Sequence, residues 1–267
     1  MDNEAITGKI LTLTTDWNQH DYYNGVLRGK LISACPELKV VEITNQVPSF
    51  NLNHAAFVLR YSYKHFPIGT IHLVMVNTEN IQSKRMLAFT HNDHHFVAAD
   101  NGIIGLIFKD PPQNVFAFPI DSEGSFTSLE PAITAIDALY KGIDLAEVSK
   151  LVSNFDIRIP LRATNENNAI TGSIIYIDSY LNAITNVSKE LFEKVGQGRR
   201  FEIFVQSQHN KVEKIAKTYN DVDPGELLAL FNSAGLLEIA INNGYAAQLL
   251  NLTNGSSVRI KFYEEEE

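Results

Sequence analysis

Carboxylates and amides gather at three turn-like places in this chain, each just after a stretch that reads as a buried strand. Asp16 follows residues 10–15, where Ile10, Leu11 and Leu13 are interleaved with threonines, a β-favouring run ended by a polar tip. Asn77, Thr78, Glu79 and Asn80 follow the almost continuously apolar residues 70–76, and Asp100, Asn101 and Gly102 follow residues 95–99. In open α/β sheets, ligands sit outside such strand tips. Asp21 precedes Val26, Leu27 and Leu31 at helical spacing, which suits an N-cap and leaves Asp16 available for other work. Turn closure alone also accounts for Asp16, because strand-to-helix turns are commonly built from Asp and Asn.

Two other groups invite chemistry and are better explained by structure. His91, His94 and His95 are of the type that ligates transition metals. A hairpin turn at Asn92-Asp93 flanked by surface histidines explains them, and alternation along a strand sends His94 and His95 to opposite faces; no metal is expected. Cys35, the single cysteine, lies in an apolar helical stretch before Pro36 with no base nearby in sequence, which makes it a small buried residue rather than a nucleophile and excludes an internal disulfide.

The elements that must position these residues alternate. Residues 39–44 read as a second strand, Asn53 is placed to cap a helix over residues 54–64, and residues 70–76 form a third strand covered on both faces. Residues 86–90 and 95–99 form the hairpin. Pro131 is placed at the first position of a helix that ends at Gly142, and Asp144 begins a further helical turn through Val148. This alternation predicts an N-terminal three-layer α/β domain with a largely parallel sheet over residues 1–160. The polar cluster Asn165 to Asn168 suits a linker. Beyond it, residues 170–178, 201–206, 236–241 and 257–262 are strand-like, and residues 189–195 and 226–231 look helical. The second half, residues 168–267, is thus predicted to be a small β-barrel or β-sandwich ending in a solvated acidic tail.

With 267 residues, 45% of them hydrophobic, the chain can bury a sizeable core in one large domain or two smaller ones. A formal charge of −9 and no cluster of basic residues beyond Arg199-Arg200 argue against a nucleic-acid surface. The first residues lack the basic and apolar regions of a signal peptide, and no apolar run is long enough to span a bilayer. No membrane partner and a cytoplasmic location are therefore expected.

Taken together, the motifs resemble the S-adenosylmethionine hydroxide adenosyltransferases, relatives of the fluorinase and chlorinase enzymes. That family's opening Thr-Asp-Phe-Gly, x-x-Asp-x-Tyr pattern is matched by Thr15-Asp16-Trp17 and Asp21-Tyr22-Tyr23 with Gly25, apart from Trp17 for Phe and Asn18 for Gly. The family's Asp-Asn-Gly turn is matched by Asp100-Asn101-Gly102. Its Ile-Asp-x-Phe-Gly-Asn-x-x-Thr-Asn pattern is matched by Ile177-Asp178, Tyr180-Leu181-Asn182 and Thr185-Asn186, and a late motif by Asn232-Ser233, Gly235 and Glu238-Ile-Ala240. The likeness runs from about Ile10 to Phe262.

The resemblance implies a homotrimer, with a nucleoside ligand held between the α/β domain of one chain and the barrel of its neighbour, and no cofactor beyond S-adenosylmethionine itself as substrate or ligand. Asp16 then accepts from the ribose hydroxyls, a task for an ionised carboxylate. Asp178 faces the cationic amino group of the methionine portion and Ser233 its carboxylate. Asn182, with backbone groups around Asn242 and Asn243, defines the adenine end; Asn182 and Asn186 could equally satisfy turn backbone. Trp17, Asp21, Asn80 and Asp100 complete the implied ligand contacts together with Asn101, Phe126, Ser128 and Tyr180.

The implied reaction is displacement at the ribose C5′, with methionine leaving as a neutral thioether; the enzyme aligns the nucleophile and either deprotonates water or strips a halide of its hydration. Water-using members resemble one another in an Asp, Arg and His set. Here Asn77 stands at the Asp position, and an amide is no general base at neutral pH. Lys84 or Arg85 stands at the Arg position, depending on register, and Thr127 at the His position. Glu79 and Glu130 are the carboxylates that could replace the lost one. Three functions follow: a divergent hydrolase; a protein that binds S-adenosylmethionine or adenosine without turnover; and, least favoured, a halide-using enzyme, suggested by Ser128 at a position where the fluorinase also has serine.

Overall fold

A computed structural model describes residues 9–18, 20–79, 81–121 and 123–264. Asn80, the N-terminal octapeptide and the last three glutamates lie outside the described residues. The chain divides into two compact units, Met1–Pro160 and Leu161–Glu267.

The first unit runs β1 (Ile10–Thr15), α1 (Tyr22–Ala34), β2 (Lys39–Thr44), α2 (Leu52–Ser62), β3 (Ile71–Met75), β4 (Arg85–His91), β5 (His94–Ala99), α3 (Ile103–Ile107), β6 (Val115–Pro119), α4 (Leu129–Lys141), α5 (Leu145–Val148) and β7 (Lys150–Val152). Its seven-stranded sheet has the order β2-β1-β3-β5-β4-β6-β7. β1 is parallel to β2 and β3, and β3 to β5, while β4 is antiparallel to β5 and β6, and β7 to β6. β1, β2, β3, β5 and β6 therefore share one direction. Side chains alternate along β3: Leu73 and Met75 join Leu27 and Leu31 of α1 and Ala132 and Ile136 of α4 on one face, whereas Val74 joins Leu52, Ala55 and Leu59 of α2 on the other. Helices on both faces of one sheet make three layers.

Local chemistry sets the helix ends, with two differences from expectation. Asn51, not Asn53, caps α2: its side chain accepts from the His54 amide at 3.0 Å. Helix α4 starts at Leu129 behind Ser128, so Pro131 is its third residue rather than its first; a proline is tolerated there because the first four amides have no partner within the helix. Gly142, at φ +72°, ends α4 in the left-handed conformation and donates to Ala138 and Leu139. The Asn92-Asp93 turn has both residues at positive φ, 49° and 60°, the backbone a two-residue hairpin demands.

The second unit runs β8 (Thr164–Glu166), β9 (Ala169–Ile177), β10 (Ala183–Ser188), α6 (Lys189–Gly196), β11 (Phe201–Val205), β12 (Ser207–Val212), β13 (Ile215–Ala216), β14 (Leu227–Phe231), β15 (Leu236–Ile241), α7 (Ala246–Leu249) and β16 (Ser257–Phe262). One sheet, ordered β12-β11-β16-β9-β10-β15-β14-β13 with β8 beside β9, curls into a nearly closed barrel around Ile170, Ile203, Leu237, Ile239 and Ile260. Residues 226–231, expected to be helical, contain strand β14, paired with β15 and β13; sheet pairing overrides the helix preference of Leu and Ala. The Asn165–Asn168 cluster, expected to be a linker, is a hairpin in which β8 pairs with β9.

Candidate functional site

The tips of β1 and β3 meet, because these strands are parallel neighbours in register from Leu11↔Ile71 to Thr15↔Met75. Asp16 leaves β1 there half-buried, and its Oδ2 accepts from the amides of Phe50 (2.9 Å) and Asn77 (3.2 Å). One carboxylate thus ties together the ends of three segments. Both donors sit at positive φ, 66° for Phe50 and 50° for Asn77. Asn tolerates that conformation, whereas for a bulky aromatic it is strained. Phe50 is also 69% exposed, and nothing in the sequence motifs pointed to it. Asp21 occupies the N-cap position of α1 but makes no cap bond; its Oδ2 accepts from the Asn18 amide at 3.0 Å, within the turn.

Glu79 is the carboxylate that the fold brings to the opposite side of this tip. Its Oε2 accepts from the amide and hydroxyl of Thr127 (3.2 and 3.3 Å), and its Oε1 from the Ser128 hydroxyl (3.0 Å). Ser128, fully buried, and Thr127 stand at the N-terminus of the 13-residue α4, where amides point outward and the helix dipole favours negative charge. An aromatic group lies alongside: Trp17 packs edge-on against Phe126 at 5.0 Å, and Tyr23 packs against Trp17, Phe126 and Tyr22. The Tyr23 phenol is pushed above its ordinary range, first by its hydrogen bond to Tyr22 and the charge on that ring, and further by burial, Asp21 and Glu79.

The remaining candidates in this unit are committed elsewhere. Asp100 is 1% exposed. Its Oδ2 accepts from Arg85 Nε at 2.7 Å and its Oδ1 from the Asp156 amide at 2.7 Å, while the Arg85 guanidinium also donates to the Asn154 carbonyl. Arg85 is therefore the counter-charge of a buried carboxylate, and Lys84, exposed at φ 45°, is the cation without that duty. Asn101 donates to the carbonyls of Val76 and Asn77 (3.0 and 3.1 Å) and accepts from the Ile103 amide, bracing the turn that carries Asn77. Gly102 is required here: at φ +90°, a Cβ would meet Arg158 Cγ at 2.4 Å. Glu130 points away from Glu79 and pairs with Lys30 at 2.5 Å on the surface.

The expected surface histidines are partly a buried network. His94 is 4% and His72 fully buried; His72 bonds to Thr12 Oγ1 (2.6 Å) through Nδ1 and to His94 Nδ1 (3.1 Å) through Nε2. The imidazoles complete a polar ladder between β1, β3 and β5 rather than a metal site, and among the described residues no group of His, Cys, Asp and Glu is placed to hold a metal. Cys35 is buried, and its thiol is pushed up to about 11 by burial and by Asp137. No helix among the described residues is long and apolar enough to cross a membrane.

In the second unit, Asp178 caps the β9–β10 turn: Oδ1 accepts from the amides of Tyr180 (2.9 Å) and Asn182 (2.8 Å), and Oδ2 from the Asn182 side chain at 3.3 Å. Tyr180 is 74% exposed and Asn182 is buried. Asn186 satisfies backbone, accepting from Ser173 and donating to Leu161. Ser233 is exposed on the β14–β15 turn, whose Asn232 accepts from the amides of Ala234 and Leu236. Asn242 is buried, donating to the Val222 carbonyl at 2.8 Å, next to exposed Asn243 at φ 52°.

Residues 11–153 match the SAM hydroxide adenosyltransferase N-terminal domain and residues 172–259 the corresponding C-terminal domain. The chain is 25% identical to an (R)-S-adenosyl-L-methionine hydrolase of Salinispora tropica over 260 residues, 94% of this chain and 97% of the relative. It is 27% identical to the enzyme of the same name from Thermus thermophilus, covering 92% and 97% of the two chains. An uncharacterized conserved protein from Thermotoga maritima has a crystal structure that superposes with a TM-score of 0.82 at 28% identity, over 94% of this chain and 99% of that one.

Proposed function

Because the chain belongs to the S-adenosylmethionine hydroxide adenosyltransferase family, we propose that it binds S-adenosylmethionine and hydrolyses it to adenosine and methionine, with Glu79 as the carboxylate that orients and deprotonates the attacking water. The water oxygen bonds to C5′ as the C5′–S bond breaks, the sulfur keeps the electron pair and leaves as a neutral thioether, and the water proton passes to Glu79. The observation that carries this reading is the docking of Glu79 on Thr127 and Ser128. Thr127, at the family's His position, donates to this carboxylate, and Asn77, at the Asp position, stands two residues before it. The hydroxyls of Thr78, Thr127 and Ser128 also point at Glu79, and a water takes the place of one of them when it is activated. Asp16 serves the ribose hydroxyls, and Asp178 and Ser233 the amino and carboxylate groups of the methionine portion. Ligand residues are divided over the two units, and a homotrimer supplies them to one ligand from neighbouring chains. A cytoplasmic enzyme needing no cofactor fits this reading.

The second reading, binding without turnover, is favoured by the commitment of Arg85 to Asp100, which of the two cations at the family's Arg position leaves Lys84 for the ligand. Halide use is disfavoured, because the Ser128 hydroxyl already donates to a carboxylate. Chromatography of the protein incubated with S-adenosylmethionine, with and without chloride, separates the three. Hydrolysis predicts adenosine and methionine in both samples and a fall in kcat of about a hundredfold or more in Glu79→Gln, with Asp16→Ala as the binding-deficient control. Calorimetric binding with no product would establish the second reading instead.

A further inference from the structure

The sequence motif around Ser233 contains a carboxylate with no assigned role. Glu238 lies in the middle of β15, 3% exposed, on the outer face of the barrel beside Leu230 and Ala240 rather than among Leu237 and Ile239 of its interior. Among the described residues, no cation pairs with it. Instead its Oε1 accepts from the Tyr219 hydroxyl at 2.6 Å and its Oε2 from the Asn232 side-chain amide at 3.0 Å. A buried carboxylate held by neutral donors alone is costly, so the interest lies in what those donors hold.

Asn232 has no remaining freedom. Its Oδ1 accepts from the amides of Ala234 and Leu236 (3.0 and 3.2 Å), the two sides of the turn that presents Ser233. Its NH2 must then face an acceptor, and Glu238 supplies one. A glutamine at that position has a single accepting oxygen: it keeps Asn232 by accepting from it only when its NH2 turns to the Tyr219 hydroxyl, which must then accept rather than donate, and both bonds to a charged group become neutral ones. Tyr219 belongs to a segment that crosses the outer face of the barrel. That segment is pinned at one end by Asp221, which accepts from the Lys217 amide and the Thr218 hydroxyl, and at the other by Asn242, which donates to Val222. Burial, Glu238 and then the charge of Asp178 push the Tyr219 phenol upward.

We infer that Glu238 is a positioning residue: through Asn232 and Tyr219 it fixes the turn bearing Ser233 relative to Asn242, and so sets affinity for the methionine portion of the ligand without touching it. This rests on the proposed function for the role of Ser233. Glu238→Gln raises KM for S-adenosylmethionine about tenfold, the scale of two hydrogen bonds to a charged group becoming neutral ones, while kcat changes less than about threefold. Asn232→Asp alone does the same, by setting two carboxylates against each other. The double variant Glu238→Gln with Asn232→Asp restores a complete set of donors and acceptors, because the glutamine NH2 now donates to the new carboxylate, and KM returns toward the wild-type value. Tyr219→Phe, which removes a single oxygen and preserves the packing, gives a smaller KM increase.

A double variant no better than the single variants, or a Glu238→Gln enzyme with unchanged KM, overturns the inference. Should the wild-type protein neither bind nor hydrolyse S-adenosylmethionine, the proposed function fails on its own account. Amide exchange at Ala234 and Leu236 then decides the positioning role: faster exchange in Glu238→Gln, reversed in the double variant, supports it, and unchanged exchange in all variants overturns it.

Discussion

The two units hold their polar constellations together in opposite ways. In the barrel, Asp178 and Asn232 accept from amides two and four residues further on, so each turn is closed by its own sequence. In the α/β unit the partners are distant: 34 and 61 residues separate Asp16 from Phe50 and Asn77, 48 separate Glu79 from Thr127, and 56 separate Asp100 from Asp156. Local turns reproduce their geometry wherever the motif occurs. A site assembled by topology keeps its place while individual residues change, and it is in this unit, at Asn77 and Thr127, that the motif reading expects the chain to depart from its family's pattern.

The contrast is broken most forcefully at the long-range end. Arg85→Met leaves Asp100 buried without its cation, and a loss of about 3 kcal/mol or more is expected in denaturant unfolding; a loss below about 1 kcal/mol would show that the distant contacts are dispensable. The imidazole ladder between β1, β3 and β5 gives the next effect. Burial, and then the charges of His94 and His95, hold His72 down to about 3 from its ordinary 6.5. Between those values the unfolded chain carries the extra proton, so stability is complete above about 6.5 and is lost progressively as pH falls toward 3. From about pH 7.5 to pH 5 this group accounts for about 2 kcal/mol. Urea midpoints at the two pH values should therefore converge in His72→Gln. The smallest effect is expected of a local contact: Ser188 caps α6 by accepting from the Leu191 amide, and Ser188→Ala should lower barrel stability by about 1 kcal/mol, read as a shift in Tm.

Legibility in the sequence follows the same division. Strands β15 and β16 were readable to the residue, because apolar alternation and flanking turns are local signals. Asp178 and Ser233 stood out by the family patterns they match rather than by apolar alternation, and both fall in turns between strands. β14 was not, since Leu-Leu-Ala-Leu-Phe suits either period until its neighbours are known. Glu79, two residues from Asn77, and Glu130, three from Thr127, stood as equal candidates by sequence proximity, and only the helical path of α4 separates them, turning Glu130 toward Lys30. That Arg85 pairs with buried Asp100 could not be read from sequence either, since the pairing comes from the β4–β5 ladder. Phe50 carried no signal, because backbone strain has no sequence signature in a bulky residue.

Trp17 has an optical consequence. It is the single tryptophan of the chain and stands against Phe126 and Tyr23 beside Asp16. All indole emission from this protein therefore originates at the tip of β1, and Tyr23, 5.8 Å away, is a nearby donor of excitation energy. The proposed ligand, arriving at Asp16, would change the polarity around that one fluorophore, so its occupancy would be followed by intrinsic fluorescence alone, without a label and without turnover.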